Sequence, residues 1–332
     1  MTKIKLSTSE MAHLWTTYIN DSLANYVLSY FANRVEDKKV KKILDFAISI
    51  SQNHLIYLKF LFEKENFPLP TGFTSNDVNL AAPRLYSDSF YLYYLKNMAL
   101  IGGNGYSLAL GNSARVDIVK YFKECVGESS DLYEKSSKLL LEKGLFLRPP
   151  QINTPKKIDF VNDQSFLTGW FGKRRPLTSI EIMNLHLNIE RNDLGRALLT
   201  GFQQVAKSKE VRNYVQRGIK ISSKHIEVFG SILSESGLPS PMIWNTLPTE
   251  STEETFSDKL IMFHISALTA ASTSHYGTSV GSSPRRDIGT HFTRLTSEIL
   301  KYAEDGANIM IKNGWLEQPP STTDRNKLSK DK

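Results

Sequence analysis

The sequence predicts an all-α chain built as two tandem four-helix bundles related by internal duplication. Three observations predict it. The stretch 6–70 re-reads at a constant offset as 177–241, and 87–150 re-reads, shifted by one residue, as 257–320; an internal repeat of this length marks a duplicated architecture before any element is assigned. Between the punctuating residues, apolar positions recur in steps of three and four, the period of one face of a helix. Helix start and stop signals stand at matching places in both halves, and no stretch carries the alternation of a strand or hairpin. The spans that follow are 1–150 for the first copy, 151–176 for a linker, 177–320 for the second copy and 321–332 for a polar tail expected to be disordered.

The first helix of each copy opens on a capping box, Ser7-x-x-Glu10 and Thr178-x-x-Glu181. The hydroxyl accepts from an early backbone N–H and the carboxylate reaches back to another. The second helix takes Asp37 or Ser208 as its N-cap. Its seam runs Ile43, Ala47, Ile50, His54, Tyr57, Leu61 in one copy and Tyr214, Gly218, Ile221, His225, Val228, Ile232 in the other. It stops where Asn66 or Gly237 tolerates a left-handed backbone just ahead of two prolines. Ser87-Asp88 and Ser257-Asp258 open the third helix. Inside it, Gly102-Gly103-Asn104-Gly105 and Ser272-Thr273-Ser274-His275 are poor helix formers. They predict a kink or bulge at one height in both bundles, read as small residues admitting a close neighbour rather than as an opened pocket. Ser113 and Ser283 are expected to cap the fourth helix, with Pro284 at its first position and Asp117 and Asp287 in its first turn. That helix carries a seam through Ile118, Phe122, Cys125, Leu132 and Leu139, and ends at Gly144 or Gly314 ahead of a Pro-Pro pair. Four long helices with one longer crossover between the second and third describe a ferritin-like four-helix bundle.

Composition excludes several classes. The apolar and charged fractions, 40% and 23%, are those of an ordinary globular chain. The net charge of +7 sits partly in Lys173-Arg174-Arg175 and the terminal lysines. It reads as solvated surface, and no nucleic acid is expected as a partner. One cysteine, Cys125, excludes an intramolecular disulfide and fits a reducing, cytoplasmic compartment. The first residues are too polar for a signal peptide. The longest apolar run, near 90–101, is interrupted by Lys96-Asn97 and is too short to span a bilayer, so a membrane is not expected either.

The chemistry such a bundle could carry is a carboxylate-bridged di-iron centre. It needs a Glu on each of two helices and Glu-x-x-His on each of the other two. The literal match, Glu10-x-x-His13, lies on the first turn, where Glu10 already has a capping role. The second copy reads Glu181-x-x-Asn184, and the second helices offer only Ser51-x-x-His54 and Ser222-x-x-His225. No cofactor is therefore expected, neither iron nor another divalent metal. His54 and His225 are expected to be buried imidazoles that fix helix register. Asp21 or Asn192 stands on the first helix beside them, and Tyr106, Tyr276, Asp117 and Asp287 complete the polar interior of each bundle. A non-standard metal site would have to use the same residues. His186, His264, His275 and His291 read as scattered surface or edge histidines, and Cys125 as a small core residue. Nothing suggests a nucleophile with its base, or a nucleotide fingerprint.

In the linker, Trp170 and Phe171 carry too much apolar surface to stay wet beside three bases. They are expected to dock between the bundles, which otherwise share only a flexible tether. An exposed patch for a partner or a membrane surface is the alternative.

With the duplicated bundle, the paired prolines after helix 2 and the run Trp170-Phe171-Gly172-Lys173-Arg174-Arg175-Pro176-Leu177, the chain resembles the tandem ferritin-like proteins of spore-forming Bacillus-type bacteria, the family called domain of unknown function 3231. The resemblance covers 6–320. It implies a ferritin-like fold, kinship with spore coat proteins of the coat protein F type, and a cytosolic or spore-associated protein. It brings no catalytic residues to carry over. The function expected is a non-catalytic structural or interaction protein with an unidentified protein partner, spore coat components among the candidates. A metal-binding protein or metal-dependent oxidoreductase with an interior site is the alternative, and a binder of an apolar small molecule a weaker one.

Overall fold

The computed structural model describes residues 4–170, 174–242 and 248–325. Among them run eight long helices: α1 (Thr8–Arg34), α2 (Lys38–Lys64), α3 (Asp88–Gly111), α4 (Val116–Glu142), α5 (Ser179–Val205), α6 (Lys209–Glu235), α7 (Asp258–Ser282) and α8 (Arg286–Lys312). The β-type pairing among the described residues is an isolated antiparallel bridge between Val78 and Phe256. The expected all-α duplication is thus found, element by element.

The local signals act as read, with one exception. Both capping boxes form: Glu10 N–H donates to Ser7 Oγ at 3.2 Å while Glu10 Oε2 accepts from Ser7 N–H at 2.7 Å, and Thr178 and Glu181 repeat the exchange. Asp37, Ser208, Ser87 and Ser257 cap α2, α6, α3 and α7. Asn66 and Gly237 end their helices with φ of 51° and 70°, and Gly144 and Gly314 with 66° and 68°. The exception is the start of α4 and α8. Their N-cap residues are Arg115 and Arg285, without a side-chain cap of their own. Ser113 instead donates to Ala109 O, and Ser283 accepts from Asn184. The cap comes from the first helix: Glu10 Oε1 accepts from Ala114 and Arg115 N–H at 3.0 and 2.9 Å, and Glu181 Oε1 from Arg285 N–H at 3.0 Å. An ionised carboxylate is the stronger acceptor for these dipole-bearing amides, so it displaces the serine.

These caps also fix direction. Glu10 ties the start of α1 to the start of α4. Asp88, at the start of α3, accepts from Glu36 and Asp37 N–H just before α2. Asp258 does the same for Lys207 and Ser208 in the second copy. Each bundle therefore runs up, down, down, up, and the crossover from second to third helix must travel the bundle's length. α3 is helical throughout, across Gly102, and α7 is helical across Ser272. A Cβ on Gly102 would stand 3.4 Å from Ser129 Oγ, so the glycine admits α4 closely, as the plainer reading had it.

The two copies do not share only a tether. One continuous core includes Tyr30, Phe31 and Tyr86 of the first copy with Leu198, Phe202 and Phe256 of the second. Tyr86 donates to Leu198 O at 2.7 Å, a fit that requires Gly201, because a Cβ there would fall 2.3 Å from the Tyr86 hydroxyl. Lys96 and Glu190 form an almost fully buried ion pair across the junction, and the crossovers exchange Asn79 N–H to Thr255 O at 2.8 Å and Ser257 N–H to Asp77 O at 2.9 Å. The sequence did not reveal this because the junction aromatics are indistinguishable from intrabundle core. Among its described residues, the linker does not wedge between the bundles. Its end folds onto the second copy: Arg175 stacks on Phe166 and grips Glu181 through two 2.8 Å bonds, Arg174 reaches Glu235, and Trp170 lies half-exposed against His291. Phe171 lies outside the described residues.

Candidate functional site

Each bundle buries one histidine midway along its second helix, and the neighbouring helices supply its partners. In the first copy His54 is 3% exposed. Its Nδ1 lies 3.0 Å from Asp21 Oδ2 on α1, and its Nε2 lies 2.7 Å from Glu128 Oε2 on α4. Tyr106 on α3 packs edge-on against the His54 ring, centroids 5.7 Å apart. Cys125, one turn before Glu128, is fully buried beside the ring. In the second copy His225 Nδ1 lies 2.9 Å from the Tyr276 hydroxyl and Nε2 lies 3.1 Å from Glu298 Oε2. Asn192 Nδ2 donates to the same Tyr276 oxygen at 2.7 Å.

The two clusters hold their protons differently. Burial raises the Asp21 carboxyl against the pull of its hydrogen bond with His54. With both carboxylates ionised they only accept, and the ring between Asp21 and Glu128 then donates from both nitrogens as an imidazolium. Burial opposes that charge, but the hydrogen bonds to Asp21, Cys125 and Glu128 outweigh it and push the His54 pKa up to about 12. In the second copy the Tyr276 oxygen already accepts from Asn192, so its own proton points to His225 Nδ1. Nε2–H then donates to Glu298. The ring is neutral, and burial, only partly opposed by Glu298, lowers its pKa.

Asp21, His54 and Tyr106 come together as expected, and so do Asn192, His225 and Tyr276. Asp117 and Asp287 do not join them. They sit at the bundle ends, where Asp117 holds Arg115 at 2.8 and 2.9 Å and Asp287 holds the buried Arg285 at 2.8 and 2.6 Å. The expectation failed because a first-turn position places the side chain at a helix end, far from mid-bundle. Ser7, Glu10, Thr178 and Glu181 serve as caps. His186 and His264, read as edge residues, are 3% and 2% exposed; His264 packs in the junction with its Nε2 3.2 Å from the Tyr94 hydroxyl.

Sequence reading missed Glu128 and Glu298. The signal was present: both occupy the same repeat position, three residues after the seam positions of Cys125 and Leu295, hence on the same helical face. Donor atoms of His54, Cys125 and Glu128 lie within 4.8 Å of one another. A thiolate, an imidazole and a carboxylate suit a borderline divalent ion such as zinc. Asp21 stands on the far nitrogen of the ring, where metal-bound histidines carry an orienting carboxylate. Copy 2 has Leu295 and Asn192 instead, and fits no metal.

Two helical bundles fused through one core, each with a buried histidine held by a half-exposed glutamate, define a duplicated helical-bundle protein. The chain belongs to the family described as "Protein of unknown function (DUF3231)", whose model matches residues 1–158 and 165–328. Among solved structures it is similar to a protein of Bacillus halodurans C-125 provisionally described as a spore coat protein, at 18% identity and a TM-score of 0.43, over 45% of this chain and 98% of that one. No curated protein matches. No helix among the described residues is long and apolar enough to cross a membrane.

Proposed function

We propose that the chain is a non-catalytic structural or interaction protein of ferritin-like connectivity, whose histidine clusters pin helix register in each bundle. The observation that carries this reading is that both ring nitrogens of His54 and of His225 have protein partners. Such groups hold helices in one axial position, because a slip would leave buried donors and acceptors unpaired. Replacing either histidine with alanine in chelator-treated protein should cost about 1–3 kcal/mol of unfolding free energy. An unchanged denaturation midpoint for both variants would remove the structural role.

A divalent metal at His54, Cys125 and Glu128 is the second reading, favoured by the closeness of the three donors. Association with the spore, and a partner among its coat components, enter the proposal as expectations taken from the family resemblance. Absence of the chain from purified spores of its host would discard them.

A further inference from the structure

Where α3 of the first copy meets α5, α6, α7 and α8 of the second, the junction leaves a cavity of about 80 Å³, well beyond the ~10–15 Å³ that admits one water. Its walls are mostly aliphatic, with Met98 and Ile101 from α3 facing Leu198, Ile221 and Leu268. The sequence prepares it: α7 carries the small Ala271 and Ser272 where larger side chains would fill the space, while Gly218 on α6 makes room for the Tyr302 ring. Into this wall project Arg191 and His275.

Arg191 is the anomaly. Its guanidinium, midway along α5, makes no hydrogen bond or ion pair among the described residues, whereas the bundle-end arginines Arg115, Arg175 and Arg285 are held by carboxylates. The carboxylate beside it in sequence, Glu190, is committed to Lys96. His275 Nε2 is likewise buried and without a partner. Burial lowers the His275 pKa to about 4, so that ring is neutral at physiological pH. Burial lowers the Arg191 pKa, only partly opposed by the Glu190 that Lys96 already holds. A buried cation so weakly compensated is costly, and an apolar cavity with one such cation is complementary to a ligand with an apolar body and one negative end.

We propose that the cavity binds an amphipathic monocarboxylate, its hydrocarbon among the aliphatic walls and its carboxylate on the Arg191 guanidinium, with His275 as an additional polar contact. The site adjoins the second histidine cluster, since His225 and Asn192 also line the cavity, and is separate from the His54 cluster of the first copy. Arginine suits the head group because its planar fork can meet both carboxylate oxygens.

The test is calorimetric titration of the full chain with octanoate and, separately, octan-1-ol. The proposal requires saturable octanoate binding at one site, and affinity for the alcohol lower by about tenfold or more. This comparison needs no variant. Arg191→Gln should then weaken octanoate by a similar factor and leave octanol unchanged, and Arg191→Lys should recover part of the loss. Ala271→Phe, which fills the cavity, should remove both ligands. Equal affinity for acid and alcohol, octanoate binding undiminished in Arg191→Gln, or no saturable binding by the wild-type chain would each overturn it.

Discussion

At the scale of single residues, one difference between the copies decides the charge of a buried ring. Asp21 accepts only, so His54 must donate to it; Asn192 donates to Tyr276, which passes its proton to His225. Exchanging an acid for its amide thus reverses the direction of the proton chain and leaves one imidazole charged and the other neutral. At pH 8, histidine side-chain nitrogen NMR should show His54 with both nitrogens protonated and His225 as the Nε2–H tautomer, and Asp21→Asn should convert the first spectrum toward the second. Two neutral rings in the wild-type chain would refute the assignment. The stability consequences have opposite signs. The His54 pKa is raised from 6.5 to about 12, so its contribution is fully present below pH 6.5 and is lost as pH climbs through the folded value. The His225 pKa is lowered, so its contribution is present above 6.5 and is lost as pH falls. The histidines and Asp21 were legible in the sequence because they stand on regular inward stripes. Glu128 and Glu298 were not, because half-exposed acids on an amphipathic helix look like solvated surface until the partner helix is in place.

At the scale of elements, the helix starts were legible wherever the cap is local and illegible where it is not. Ser7, Asp37, Ser87 and their counterparts bond within three residues. The caps of α4 and α8 come from Glu10 and Glu181 on other helices, which no local pattern announces. Each of these two acids therefore serves two helix starts at once. Burial raises the Glu10 carboxyl, but bonds from Ser7, Arg115 and Ala114 prevail and lower it to about 2. Its contribution is accordingly fully present above its ordinary 4.5 and is lost as pH falls from there through about 2. Glu10→Gln keeps the shape and removes the charge; it should cost about 1–3 kcal/mol at neutral pH, and much less in acid. An equal cost at both pH values, measured by denaturant titration, would show that the charge contributes nothing. The glycine run of α3 illustrates another limit: poor helix formers stand mid-helix, yet the helix is unbroken where it packs against α4.

At the scale of the whole molecule, duplication has produced one fused body with unequal interiors. The junction core and the Lys96–Glu190 pair join the copies directly, while the described end of the linker braces the second. The repeat made the two bundles readable. It could not reveal their fusion, since a repeat compares each copy with the other and is silent on how they meet. The unequal interiors also concentrate the question of function in the first copy, where Cys125 and Glu128 approach His54. The central claim is that this histidine is satisfied by protein alone. Elemental analysis by plasma mass spectrometry of the untagged full chain, purified without chelator, tests it most directly. The account predicts iron, manganese and zinc each below about 0.1 equivalent per chain. Close to one equivalent of any of them, lost in Cys125→Ser and retained when Leu295 is replaced, would contradict it and make the first bundle a metal site.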